Sequence, residues 1–113
     1  MIVEQGDLIE LDFDPAVGHE PRKLRPALVT SVGFHNNVLS SLVMVCPITS
    51  TASEHPLHVE VADGNAVTGR ICLEQLRSVD LASPRRRARA LDAHLDAETM
   101  ARVLDGLGGM FGI

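Results

Sequence analysis

Two stretches in the first half of the chain carry apolar residues with little polar interruption: Arg25 to Val32, "RPALVTSV", and Ser41 to Ile48, "SLVMVCPI". Aliphatic and β-branched runs of this length, bounded by turn residues, predict two central strands. Between them, "GFHNNVLS" carries Asn36 and Asn37, which suit a reversal of direction. Pro26 lies at the start of one run and Pro47 near the end of the other, where a strand tolerates a missing amide donor. Upstream, Asp7 to Phe13 places Ile9, Leu11 and Phe13 two apart, the spacing of a strand with one buried face, and runs into the turn-rich "DPAVG". Downstream, Leu57 to Val61 ("LHVEV") alternates, Asp63-Gly64-Asn65 turns the chain, and Gly69 to Leu73 ("GRICL") supplies another short strand. Arg89 to Leu95 fits one more. Short strands at close spacing predict a mainly β fold, a small barrel or a strongly curved sheet.

Only the end of the chain has helical periodicity. Asp96 is placed to cap "AETMARVLDGL", and Met100, Val103, Leu104 and Leu107 recur at helical spacing and should cover the barrel. Gly106, Gly108 and Gly109 are expected to weaken or end that helix. Phe13 and Phe34 read as core residues. The 113 residues suit one hydrophobic core, and with neither a repeat nor a long linker the expectation is a single domain, 1–113.

Composition narrows the class. Hydrophobic residues make up 45% of the chain, which fits a globular protein, and no run approaches the roughly 18 apolar residues of a membrane span. The segment "MIVEQGDLIE" has no basic region ahead of an apolar one, so the expectation is a cytoplasmic protein without a membrane partner. Cys46 and Cys72 lie in apolar runs and read as buried small hydrophobes rather than a disulfide. His55 and His58 form one short pair without nearby cysteines, and read as surface residues; no metal and no other cofactor is expected.

A formal net charge of −5 disfavours a nucleic-acid partner until the distribution is considered. Glu4, Asp7, Glu10, Asp12 and Asp14 make the start acidic, whereas Arg22, Lys23 and Arg25 form one basic cluster and Arg85, Arg86, Arg87 and Arg89 another. Local potential matters more than the sum. The stretch "GHEPRKLRPALVTS" places a histidine, a carboxylate and three cations immediately before a predicted strand, more charge than a connecting loop needs.

Four segments occur in order: "GDLIELDFDP" (6–15), "GHEPRKLRPALV" (18–29), "VCPITS" (45–50) and "LEQLRSVD" (73–80). Together they resemble the MazF/PemK family of toxin endoribonucleases from type II toxin–antitoxin systems. The acidic first strand, the RP dipeptide opening the second and the P-[IV]-T-[ST] end of the third carry the likeness. The resemblance implies an SH3-like barrel of short, mostly antiparallel strands with a C-terminal helix, a homodimer, a cognate antitoxin and metal-independent cleavage of single-stranded RNA such as mRNA. It places active-site roles on Arg25 and Thr49, and the PemK-like loop "GHE" adds His19 and Glu20. Where that branch has R-C-D-Q, "CLEQ" puts Cys72 at the arginine and Glu74 at the aspartate, so Arg70 and Arg77 become candidates to supply the missing cation. Arg22, Lys23, Glu74 and Gln75 complete the expected substrate-binding set.

RNA is cut without metal when its own 2′-hydroxyl attacks the adjacent phosphorus, which requires a base, an acid for the leaving 5′-oxygen and positive charge for the transition state. Arg25 fits the last role, because a guanidinium donates two parallel hydrogen bonds to phosphate oxygens. Thr49 can add another. Glu20, His19 and Glu74 compete for proton transfer, with Glu20 and His19 ranked first. The expected products carry a 2′,3′-cyclic phosphate and a 5′-hydroxyl. With no Trp or Tyr and three Phe, stacking platforms are scarce, so base recognition falls to hydrogen bonds from loop residues such as Arg22, Asn36, Asn37 and Gln75. Residue by residue, plainer roles compete: a salt bridge from Arg25 to Asp12 or Asp14, a strand-end hydrogen bond for Thr49, and a solvated turn for the "RRRAR" run. The competing functions are a non-catalytic, gyrase-binding toxin of the CcdB type and an inactive binding barrel.

Overall fold

In the computed structural model, which describes residues 1–13, 24–39, 41–52 and 54–113, the two apolar runs form the middle of a sheet. The strands are β1 (Asp7–Leu11), β2 (Arg25–Val29), β3 (Leu42–Thr49), β4 (His58–Glu60), β5 (Arg70–Cys72), β6 (Arg77–Asp80) and β7 (Arg89–His94), followed by helix α1 (Ala97–Met110). Their order is β4-β5-β3-β2-β1-β7, with β6 paired to β3, and the pairings are antiparallel. Strand β3 divides one edge between two partners: Leu42 to Val45 pair with β6, and Ile48 and Thr49 pair with β5. β6 lies within a stretch whose alternation is too short to announce a strand; its pairing with β3 makes it one.

The central strands are continuously apolar because both faces of the sheet are covered. Leu8, Leu28, Cys46, Ile48 and Ile71 face one buried cluster, which Met100 and Val103 of α1 complete. Their neighbours Ile9, Leu11, Ala27, Val29, Val43, Val45 and Val79 face a second. Alternation along each strand sends successive side chains to opposite faces, so two cores share one sheet. Between Leu8 and Ile9 the β1–β7 register shifts, and nearby Asp92 has φ +52°, a local irregularity of the kind that bends a strand.

Helix α1 begins as expected: the Asp96 carboxylate accepts from the Thr99 amide at 2.9 Å. It then runs through Gly106, Gly108 and Gly109 instead of stopping there. The reason is tertiary contact, since a Cβ on Gly106 would sit 2.5 Å from Leu73 Cδ1; the missing side chain lets the helix approach the sheet. Leu104 is exposed rather than covering the core, because Met100, Val103 and Leu107 fill the contact face. Phe13 packs partly buried on the second cluster, whereas Phe34 is 63% exposed and not a core residue. The reversal at "GFHNNVLS" contains a π-helical turn, His35–Leu39. Both cysteines are free and buried.

Candidate active site

Arg25 opens β2 and Thr49 closes β3. The strands pair Ala27 with Pro47, and continuing that antiparallel register by two residues sets Arg25 opposite Thr49. Opposite residues project to the same face with Cβ atoms roughly 5 Å apart. That face is the one carrying Ala27, Val29, Val43 and Val45 in the second cluster. Where its apolar residues run out, at one end of β2 and β3, the cation and the hydroxyl emerge together into a cleft of about 400 Å³ that Ser50, Thr51 and Thr68 help to line. The Thr51 amide donates to Thr49 Oγ1 at 3.1 Å, which fixes the oxygen and leaves the hydroxyl proton available to a ligand. The strand-end role of Thr49 and its donor role are therefore compatible.

Arg70 joins this row from the other side. It pairs with Thr49 across β3–β5 and with Glu60 across β4–β5, so Arg25, Thr49, Arg70 and Glu60 follow one another across four strands. Of the two cations considered as substitutes for the absent arginine, Arg70 stands beside Thr49, and Arg77 donates through Nη1 to the Phe13 carbonyl at 3.1 Å. Arg86 reaches that same carbonyl at 2.9 Å, and Arg89 binds Glu10 Oε1 through Nε and Nη2, so these two arginines of the run make structural contacts.

Cys72 lies buried behind the row, its thiol donating to the Arg70 carbonyl at 3.7 Å. Burial raises its pKa and the Glu74 carboxylate raises it further, against the opposing effects of a hydrogen bond at the Thr49 backbone and the Arg25 charge. The position is thus a neutral thiol within electrostatic reach of both Arg25 and Glu74. Cys46, more deeply desolvated, is pushed up to about 12.

Glu74 lies in the 3-10 turn Leu73–Gln75, just past the end of β5 at Cys72. Its Oε2 meets His58 Nε2 at 2.9 Å and His55 Nε2 at 4.0 Å. Burial alone would raise the Glu74 pKa; the His58 hydrogen bond, its own backbone amide and the His58 and His55 charges outweigh that and hold it below the ordinary carboxylate range. The rings of His55 and His58 stack, centroids 4.6 Å apart. His55 is exposed, as expected, and His58 is half-buried; what the sequence does not announce is their meeting with Glu74, which the hairpin register brings about by setting His58 opposite Cys72, two residues before Glu74. Gln75 is exposed beside Glu74. Asn36 and Asn37 both spend amide hydrogen bonds on the protein's own backbone, Asn37 from an exposed position. Asn36 is buried and donates to the Val3 and Ser31 carbonyls, and Asn37 binds the Val3 backbone through both amide atoms. His19, Glu20, Arg22 and Lys23 lie outside the described residues.

A family model for the PemK-like, MazF-like toxin of type II toxin–antitoxin systems matches residues 4–111. The chain belongs to this family. Endoribonuclease toxin ChpB of Escherichia coli K12 is 38% identical over 86 residues, spanning 69% of this chain and 70% of that protein. Endoribonuclease toxin MazF of the same strain is 33% identical over 78 residues, with 69% and 68% covered. Among solved structures, MazE–MazF from Deinococcus radiodurans superposes with a TM-score of 0.85 at 35% identity, covering 100% of this chain and 98% of that one. MazF alone from the same organism gives 0.82 at 34%, covering 100% and 99%. In this toxin the mainly β architecture with its C-terminal helix is therefore the family fold, and the Arg25–Thr49 pair stands on its two central strands.

Proposed function

We propose that this toxin is a metal-independent endoribonuclease that cuts single-stranded RNA, mRNA included, by attack of the 2′-hydroxyl on the adjacent phosphorus. The observation that carries the reading is the register that puts Arg25 opposite Thr49 at the mouth of one cleft. The Arg25 guanidinium pairs with the non-bridging phosphate oxygens and stabilises the added negative charge of the transition state, while the Thr49 hydroxyl, oriented by the Thr51 amide, donates a further hydrogen bond. Arg70, next along the row, holds a neighbouring phosphate. Proton transfer falls to Glu20 and His19, with Arg22 and Lys23 gathering the backbone. The products are a 2′,3′-cyclic phosphate and a 5′-hydroxyl.

Three further statements belong to the same reading. A cognate antitoxin, whose acidic segment competes with RNA for these cations, inhibits the toxin; the relatives crystallised as MazE–MazF support this. The toxin works as a homodimer, supported by the exposed apolar residues Val32, Phe34, Val38 and Leu39 on and beside the π-helical turn. Its place is the cytoplasm; no helix among the described residues is long and apolar enough to cross a membrane.

The test is incubation with a long RNA of varied sequence in the presence of EDTA, followed by mapping of the ends. Wild-type protein should cut at defined sequences, and Arg25→Ala should reduce kcat by about 100- to 1,000-fold, the usual effect of removing one transition-state donor. Intact RNA with the wild type, or equal cutting by Arg25→Ala, would overturn the proposal.

A further inference from the structure

A second cavity, of about 520 Å³, is lined by Glu54, His55, Pro56, His58, Glu60 and Arg70, the last of which pairs with Thr49 of the first cleft. Its wall is the stacked imidazole pair, with ring planes 21° apart. The His58 side chain is only 9% exposed, against 41% for His55, so His55 rests on its neighbour and keeps its own outer face towards solvent. The ring is held in place. The Leu57 amide donates to His55 Nδ1 at 3.1 Å, which puts the proton of the neutral ring on Nε2, the atom facing Glu74.

The same hydrogen bond argues against a metal ion between His55, His58 and Glu74, although their ligand atoms lie within 4.8 Å of one another. A cation on His55 Nε2 would need that lone pair, the ring proton would move to Nδ1, and Nδ1–H would confront the Leu57 N–H. Metal-ligating imidazoles instead donate their second N–H to an acceptor. His58 Nδ1 likewise is buried without a partner.

The arrangement is suited to a flat ligand. We propose that the outer face of His55 is a stacking platform for one nucleobase close to the cleaved linkage, and that the adjoining carboxylates of Glu54 and Glu60 favour a base bearing an exocyclic amino group over uracil. The inference rests on the RNA-cleavage reading. Imidazole is among the side chains on which unstacked RNA bases settle, and this chain has no Trp or Tyr to do it. Strand β4 is two strand spacings, about 10 Å, from β3, within reach of the nucleotide adjoining the linkage held by Arg25 and Thr49 or the one after it. A carboxylate only accepts hydrogen bonds, so it pairs with an amino group and repels the carbonyl oxygens that dominate the edge of uracil. Glu74 is a positioning residue here, fixing through His58 Nε2 the ring on which His55 stacks.

The test is end-sequencing of a randomised RNA library cut by wild type, His55→Ala, His55→Phe and Glu60→Gln, with kcat and KM on the best sequence. His55→Ala should lower kcat/KM by about 5- to 150-fold, chiefly through KM, and flatten the preference at one position near the cut. His55→Phe should restore much of the rate, and Glu60→Gln should admit uracil at that position. A His55→Ala profile identical to wild type overturns the platform while leaving the nuclease intact. A His55→Phe variant as impaired as His55→Ala overturns it too, since stacking would then not be what the imidazole supplies. An uncut library with wild type removes the nuclease reading and this inference together, an outcome distinct from the other two.

Discussion

At Gly69 the backbone takes φ +128°, and a Cβ there would collide with the Thr49 carbonyl. That glycine lets β5 enter the sheet directly beside Thr49, and its own carbonyl accepts from the Val61 amide at 2.9 Å. Gly69→Ala should therefore destabilise the fold by about 1–3 kcal/mol in urea titrations and also depress RNA cleavage, because relief of the clash must move the end of β3. A variant matching wild type in both measurements would show that Thr49 tolerates displacement. Single residues differ in how far the chain announces them. Arg25 and Thr49 were legible because each stands in a short motif at a strand end. Cys72 was visible as a departure, and in the fold it is a buried neutral thiol, with Arg70 two residues away opposite Thr49. The gathering of His55 and His58 about Glu74 was not legible, since that carboxylate comes from a different turn.

Helix α1 is where local sequence and tertiary contact divide the work. Asp96 caps its start with hydrogen bonds from the Thr99 amide and the Asn65 side chain, which hold the Asp96 pKa at about 2 against an ordinary 3.8. A folded-state pKa below the unfolded one means that the cap contributes its full stability above the unfolded value and loses it as pH falls towards about 2. Asp96→Ala should consequently lower the urea midpoint near neutral pH, with the gap to wild type narrowing through that acidic window. A gap independent of pH would mean that the ionised carboxylate is not what stabilises the helix. The other end departs from local propensity for a physical reason: three glycines count against the helix, and the close approach of Gly106 to Leu73 favours continuing it. The strands were legible in kind and less so in number, because β6 owes its extended form to β3 rather than to its own alternation.

Across the whole molecule, the apolar surface is the feature left unexplained by the monomer. Val32, Phe34, Val38 and Leu39 are exposed, and exposed Met1 and Ile2 lie beside them because Asn37 ties Val3 to the π-helical turn. Clustered exposed apolar groups mark interaction surfaces in soluble proteins. If the proposed homodimer forms through this surface, Phe34→Glu should sediment as a lighter species than wild type at the same concentration; a variant that sediments like a dimeric wild type would place the interface elsewhere. The chain's own residue order determined the mainly β class, the central position of the two aliphatic strands, the capped helix and the pair of residues at the cleft, since each depends on neighbours within a few positions or on a short motif. Only the tertiary structure decided that both sheet faces are buried, that glycines continue the helix, that Asn36 is structural, and that two histidines gather about Glu74. Those outcomes depend on side chains brought together by strand pairing and packing across long separations, where periodicity along the chain carries no information.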